Sequence, residues 1–323
     1  MLKPLWIACL FAGVAGTAAP AAVAQDEAGL VRLVVPYAPG GFPDTIARLV
    51  AGQLSQDTRL RIVIENRPGG AGAIAAQYVA KSAPDGNTLL VGDAQQWAIS
   101  PAMLKNFGST VEHDFAPVTL LGVSGNYLVV NSTLGVSDFG ALVAMINASP
   151  GKYNYGTPGV GSIHHLTLEV MASRLGLKMT HIPFRGGSEF IAALLAGTVD
   201  LGVQALPTVR ALARDGKLKI LAVASAKRSK LAPDLPTMEE FGVRDMDFPG
   251  AIGILAPKAT PPDVVAQRAK AMNTAVTGPA VVEKLATYAI EPTALTPQEF
   301  GDWIARDIVK FRDAVASAGL MPQ

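Results

Sequence analysis

The sequence is short of net charge, cysteine and aromatic residues, and each shortage closes off a class of function. Across 323 residues, 27 Lys and Arg stand against 26 Asp and Glu, a balance of +1. Nucleic-acid binding needs a basic footprint to neutralise phosphates, so no nucleic-acid partner is expected. The one cysteine is Cys9. There is no Gly-X-Y period and no long heptad run, which excludes collagen-like and coiled-coil chains. Disorder needs low hydrophobicity or a large net charge, and half of these residues are hydrophobic. His113, His164, His165 and His181 lack His-x-x-x-His spacing, so no zinc site is expected.

What is present begins with an export segment. Lys3 supplies a short positive start, Leu5 to Ala15 is apolar, and Ala22-Val-Ala24 before Gln25 fits a cleavage site. The run is too short for a membrane span. Trp6-Ile-Ala8 ahead of Cys9 makes a poor lipidation signal. Cleavage after residue 24 removes Lys3 and Cys9, leaving 26 charges of each sign and no cysteine. Disulfides and cysteine-ligated metals are then out of reach. An exported, soluble and neutral protein is expected. A mature chain of roughly 300 residues is about twice the common domain size, which predicts two lobes.

Hydrophobic pattern and turn residues predict two α/β halves. Val31 to Pro36 reads as a buried strand, Tyr37 to Pro43 as a Gly/Pro loop, and Asp44 to Leu54 as a helix with Ile46, Leu49, Val50 and Leu54 on one face. A strand over 61–65, a Gly-rich loop over 66–72, a helix over 73–82 and a strand over 87–92 complete a βαβαβ unit. The pattern restarts with strands over 152–155, 179–184, 199–203 and 218–224, a helix over 164–175, and another whose apolar face holds Phe190, Ile191, Leu194 and Leu195. Thr296-Pro-Gln-Glu299 opens a final helix with a capping box, and that helix is expected to pack on the first lobe. Long connections near 116–131 and 244–256 are expected to cross between lobes. The expected division is a signal peptide over 1–24, a first lobe over 25–125 plus 250–323, and a second lobe over 126–249.

Each half holds a strand, a Gly-rich loop and a helix start. In open parallel sheets ligands sit beyond the carboxyl ends of the strands. Unpaired N–H groups and the positive dipole end of a helix favour an anion there. Gly40, Gly41, Phe42, Pro43 and Asp44 are the candidates in the first half, and Gly159, Gly161, Ser162 and His165 in the second. Two such loops facing each other can clamp a small dicarboxylate or a similar anion. The same glycines can equally serve only tight turns, and Asp44 and Ser162 can equally serve only as helix caps. Enzyme motifs are weaker. Gly70-Ala-Gly72-Ala-Ile-Ala75 with Asp93 mimics a dinucleotide fingerprint, but Arg67-Pro68 intervenes. Ser149-Pro-Gly-Lys152 fits Ser-x-x-Lys, yet Pro150 and Gly151 spoil the required turn, and Gly-x-Ser-x-Gly is missing.

Together the motifs resemble a known family. Val34-Val-Pro-Tyr-Ala-Pro-Gly-Gly-Phe-Pro-Asp44, Glu65-Asn-Arg-Pro-Gly-Gly-Ala-Gly72, Ala83-Pro-Asp-Gly86, Ser162-Ile-His-His-Leu166 and Ile182-Pro-Phe-Arg-Gly186 are similar to those of the Bug family. These are the extracytoplasmic receptors of tripartite tricarboxylate transport. Leu195-Ala-Gly-Thr-Val-Asp200, Gly216-Lys-Leu218, Leu235 to Gly242 and Leu255-Ala-Pro257 continue the match in order over the mature chain. The resemblance implies a two-lobed periplasmic binding protein of type II character, each lobe a mostly parallel sheet flanked by helices. It implies closure on a small organic carboxylate, such as a dicarboxylate or aromatic acid. It also implies delivery to permease subunits or a sensor, a monomeric state, and no cofactor, metal or catalysis. An exported enzyme acting on a small anion with the same scaffold is the alternative. By resemblance the ligand loops hold Gly40, Gly41, Asp44, Gly161, Ser162 and His165, and the cleft also nears Phe184, Arg185, Gly186 and Asp200. Arg185 stands where the family often has Lys and can instead be a surface charge. Phe42-Pro43 departs from the family's small residues, so the Phe42 ring either lines the pocket or points out. Gln95 and Gln96, on the loop after the third strand, offer further donors, and Trp97 offers either a stacking face or core packing.

Overall fold

The computed structural model describes residues 29–40, 42–58 and 60–320. The expected export segment and Gly41 lie outside the described residues. Among the described residues eleven strands run in chain order: β1 Leu30–Val35, β2 Arg61–Asn66, β3 Thr88–Asp93, β4 Phe115–Ser124, β5 Asn126–Asn131, β6 Asn154–Thr157, β7 Thr180–Pro183, β8 Leu201–Ala205, β9 Leu218–Val223, β10 Gly250–Pro257 and β11 Ile290–Pro292. The helices are α1 Phe42–Asp57, α2 Ala73–Ala80, α3 Ser100–Met103, α4 Val111–Asp114, α5 Phe139–Ala148, α6 Ile163–Leu175, α7 Gly187–Leu195, α8 Leu206–Arg214, α9 Pro262–Val276, α10 Pro279–Thr287 and α11 Pro297–Ser317.

The strands form two sheets, ordered β11-β4-β10-β3-β1-β2 and β7-β6-β8-β5-β9. Pairing is parallel for β1 with β2 and β3, and for β6 with β7 and β8. β10 runs antiparallel to β3 and β4, and β5 antiparallel to β8 and β9. The sheets are therefore mixed, where the sequence suggested mostly parallel ones. The cause is the crossing chain. β4 ends at Ser124 in one sheet, and after Gly125 the chain re-emerges as β5 in the other. A strand arriving from the opposite lobe enters at the cleft edge, so it runs against strands that end there; β10 does the same on the return. The segments expected to be long connections are thus largely strand. Gly125 has no room for a side chain, since a Cβ there would lie 2.6 Å from the Tyr127 ring.

The elements form where the pattern dictates. β1 becomes fully buried along its length and β3 is buried up to its last residue, because helices cover both faces of a parallel sheet. α1 buries Ile46, Ala47, Val50 and Leu54 against that sheet. Thr296 and Glu299 form the reciprocal capping box that starts α11, with Thr296 Oγ1 accepting from Glu299 N and Glu299 Oε2 accepting from Thr296 N. α11 then lays Phe300 edge-on against Trp97 and Phe311 edge-on against Phe248, and its outer turns meet α6. Buried Asp307 on α11 accepts from both Trp97 Nε1 and Trp303 Nε1 at 3.0 Å and pairs with Lys310 at 2.8 Å. Trp97 is therefore a core residue, tied down at its one polar atom.

Candidate functional site

The carboxyl ends of β1 and β3 face those of β6 and β8 across a cavity of about 500 Å³. In each sheet this is the switch point, where the chain's helices pass to opposite faces of neighbouring strands. A larger groove of about 980 Å³ runs along α6, α11 and residues 239–248, with mixed charge and none of the strand-end loops. The cavity between the strand ends is the candidate site.

Three helix starts open onto it. Phe42, Pro43 and Thr45 line it from α1, Ser162, Ile163 and His164 from α6, and Ala205, Pro207 and Thr208 from α8. Ser162 caps α6: its hydroxyl accepts from His165 N at 3.2 Å and donates to Gly159 O at 2.8 Å. That leaves the N–H groups of Ile163 and His164 without intrahelical partners. The residue before α8 is Ala205, which offers no side-chain cap, so the N–H groups of Leu206 and Thr208 are likewise open. Aligned amides of this kind favour a negative group.

The rest of the wall is largely apolar, with Ile99, Pro158, Ala251 and Ile252, while Ser124, Asn126 and Gln204 supply side-chain hydrogen-bonding groups. Among the described lining residues there is no Lys or Arg. His164 sits without an acidic partner, and burial pushes its imidazole down to about 4, so it is neutral at pH 7. On the lobe-one wall the Tyr37 hydroxyl donates to Asp93 Oδ2 at 2.7 Å, and Gln95 N donates to Asp93 Oδ1 at 2.8 Å. Burial pushes the Asp93 carboxyl up to about 6 against the pull of those hydrogen bonds. Burial and the neighbouring Asp93 raise the Tyr37 phenol well above its ordinary value.

Of the residues expected from the sequence, Gly40, Phe42, Pro43, Gln95 and Ser162 line the cavity. Phe42 points inward, its ring beside Gly250. Asp44 lies beneath its loop instead. Its oxygens take Gly40 N at 2.9 Å, Asn66 Nδ2 at 2.9 Å, and Arg48 Nε and Nη2 at 2.8 and 3.0 Å. Burial would raise this carboxyl, but the hydrogen bonds from Arg48, Gly40 and Asn66 outweigh it and take it down to about 2. Gln96 is also behind the wall, accepting from Asp93 N and donating to the Tyr37 oxygen.

In the second lobe His165 is buried under its loop, where Nδ1 accepts from Gly161 N at 3.1 Å. It stacks on His181 with ring centroids 3.9 Å apart, and His181 stacks in turn on Tyr155. Gly159 and Gly161 shape this loop without lining the cavity. Gly161 is at φ +72°, and a Cβ there would fall 2.4 Å from Met103 Sδ of the other lobe. Phe184, Arg185 and Gly186 stay on the turn after the edge strand β7, with Phe184 against Phe190 and Arg185 exposed. Asp200 is not brought to the cleft. It precedes β8 and accepts from Asn154 N at 2.7 Å, at the amino ends of these strands and so the far end of the sheet. Sequence reasoning missed Tyr37 as a wall residue, and also Asn126, Gln204, the α8 start and Tyr288.

Residues 46–320 match the model of the tripartite tricarboxylate transporter family receptor. The chain belongs to this family. The receptor is 31% identical to protein BugT of Bordetella pertussis, over 99% of this chain and 98% of that one. Among solved structures it is similar to Rpa4515 of R. palustris with adipate, at 31% identity and TM-score 0.80, covering 91% of this chain and 98% of that one. It is also similar to MatC of Rhodopseudomonas palustris with bound malate, at 27% identity and TM-score 0.74, covering 88% and 98%. Family membership makes the receptor a solute-binding protein and not an enzyme, which removes the alternative of an exported catalyst. Among the described residues no group of three His, Cys, Asp or Glu could hold a metal ion, and no helix is long and apolar enough to cross a membrane.

Proposed function

We propose that the receptor captures a small organic carboxylate with an apolar body in the periplasm and passes it, as a monomer, to membrane permease subunits or a sensor. The observation that carries this reading is the meeting of three helix starts on one cavity with apolar walls and no Lys or Arg among its described lining residues. Three or four charge-assisted hydrogen bonds of about 1.5–3 kcal/mol net each, added to burial of the ligand's apolar body, offset the cost of association and support micromolar binding, about −8 kcal/mol. Adipate and malate in the similar structures agree with a carboxylate as the common element. Capture follows from closure of two lobes about the crossings at Gly125 and residues 224–249.

Isothermal calorimetry and thermal shift against mono-, di- and aromatic carboxylates test the reading. Stoichiometric binding of at least one acid, with no product formed, is the expected result. Folded protein that is neither stabilised nor titrated by any of them would overturn it.

A further inference from the structure

We propose that the cavity is built for an acid whose far end donates a hydrogen bond, a hydroxy, amido or amino acid, and that Asp93 selects this ligand against a diacid of the same length. The inference rests on the carboxylate-receptor reading and narrows it.

The cavity has chemically unlike parts. The starts of α6 and α8 present amide donors from the second sheet, and the start of α1 presents its own from the first. The corner made by Tyr37 and Asp93 presents acceptors. The proton of the Tyr37 hydroxyl is committed to Asp93 Oδ2, and the Tyr37 oxygen itself takes Gln96 Nε2 at 3.1 Å. A ligand atom arriving here meets a carboxylate and a phenolic oxygen with no proton to offer.

A second ligand carboxylate has nothing to balance it in this corner. Asp93 is the one charged residue among the described lining residues. His164, the other titratable group with nitrogen on the wall, is neutral at pH 7. Arg48, on α1, spends its guanidinium on Asp44 and Asn66 behind the first loop. Two carboxylates forced to share a site cannot both stay ionised without cost. A hydroxyl, an amide N–H or an ammonium instead satisfies the remaining acceptor capacity of Asp93. Asp93 is held by the hydroxyl of Tyr37 and the N–H of Gln95, so it cannot turn away from such a ligand without breaking both.

The test is calorimetry at pH 7.5 with two length-matched sets. One is adipate, 6-hydroxyhexanoate, 6-aminohexanoate and hexanoate; the other is succinate, 4-hydroxybutanoate, 4-aminobutanoate and butanoate. In the set that fits, a donor-ended acid should bind at least about tenfold tighter than the diacid, as expected when a like-charge contact is replaced by a charge-assisted bond. It should also bind tighter than the plain monoacid. Asp93→Asn keeps the shape and removes the charge, and should bring the diacid level or ahead. Should that variant not fold, the wild-type ranking alone decides. A diacid that binds wild-type protein as tightly as its donor-ended partner overturns the role of Asp93 while leaving carboxylate capture intact. An unchanged ranking in folded Asp93→Asn does the same. No binding of any of these acids by folded protein overturns both readings.

Discussion

Replacing Asp44 by asparagine takes one negative charge from beneath the first ligand loop while keeping the shape of the side chain. The folded protein holds this carboxyl at about 2 instead of its ordinary 3.8. That difference amounts to about 2–3 kcal/mol of preference for the ionised form in the folded state. The substituted side chain would also turn an amide toward Arg48 or Asn66, so one of those donors loses its acceptor. An unfolding free energy lowered by about 2–3 kcal/mol at pH 7 is expected, measured by urea denaturation followed by circular dichroism. The sign with pH is fixed. A depressed carboxylate contributes stability above its unfolded value and loses it as pH falls through its folded value. The gap between wild type and Asp44→Asn should therefore be flat above about pH 5 and close between pH 4 and 2. Arg48→Ala separates the contributions. Arg48 is the strongest single pull on this carboxyl, but its side chain is 51% exposed, so solvent screening holds the ion pair to less than about 1 kcal/mol, and the Gly40 and Asn66 bonds supply the remainder. A deficit below about 0.5 kcal/mol at pH 7, or one that does not change with pH, refutes this account of the loop.

Other substitutions test other parts of the site. Asp93→Asn should stabilise the unliganded protein by about 1–3 kcal/mol at pH 7.5. The folded carboxyl at about 6 binds protons that the unfolded one has released, so wild-type stability falls as pH rises from about 4 to 6, and Asn removes that slope. Gly161→Ala combines a positive φ with contact against Met103, and should weaken ligand binding by holding the lobes apart. Calorimetry on Gly161→Ala/Met103→Ala should recover part of the affinity; no recovery would place the whole defect in backbone strain. Phe42→Ser should shift preference from aromatic toward smaller polar acids, read as a change of rank across a ligand panel, and an unchanged rank would mean the ring takes no part in selection. Ser162→Ala should cost about 1 kcal/mol of stability through the lost α6 cap, read from a denaturation midpoint.

The strand-loop-helix units were legible because their signals are local. Glycines and prolines over 37–43, a serine before the 163–175 helix and Thr296 with Glu299 each announce an element within a few residues. The places of the crossings were legible but their strand character was not, since residues 115–131 serve one core and then the other, and their burial pattern belongs to neither sheet alone. The start of α8 carries no glycine and no capping side chain, so only Pro207 marks it. Asp93 stood in view as the end of a strand, but its meaning depends on Tyr37, which reaches it from 56 residues away. Asp200 misled for the converse reason: its motif is specific, yet its strand runs away from it toward the cleft.

The absence of lysine and arginine among the described wall residues bears on how fast the receptor finds its solute. Dipoles fade within a turn of helix, so the described wall of the cavity itself draws no anion in from a distance, and Asp93 does not help. Encounter is left to plain diffusion, and selectivity falls to the rate of escape. Added salt should then leave capture almost untouched.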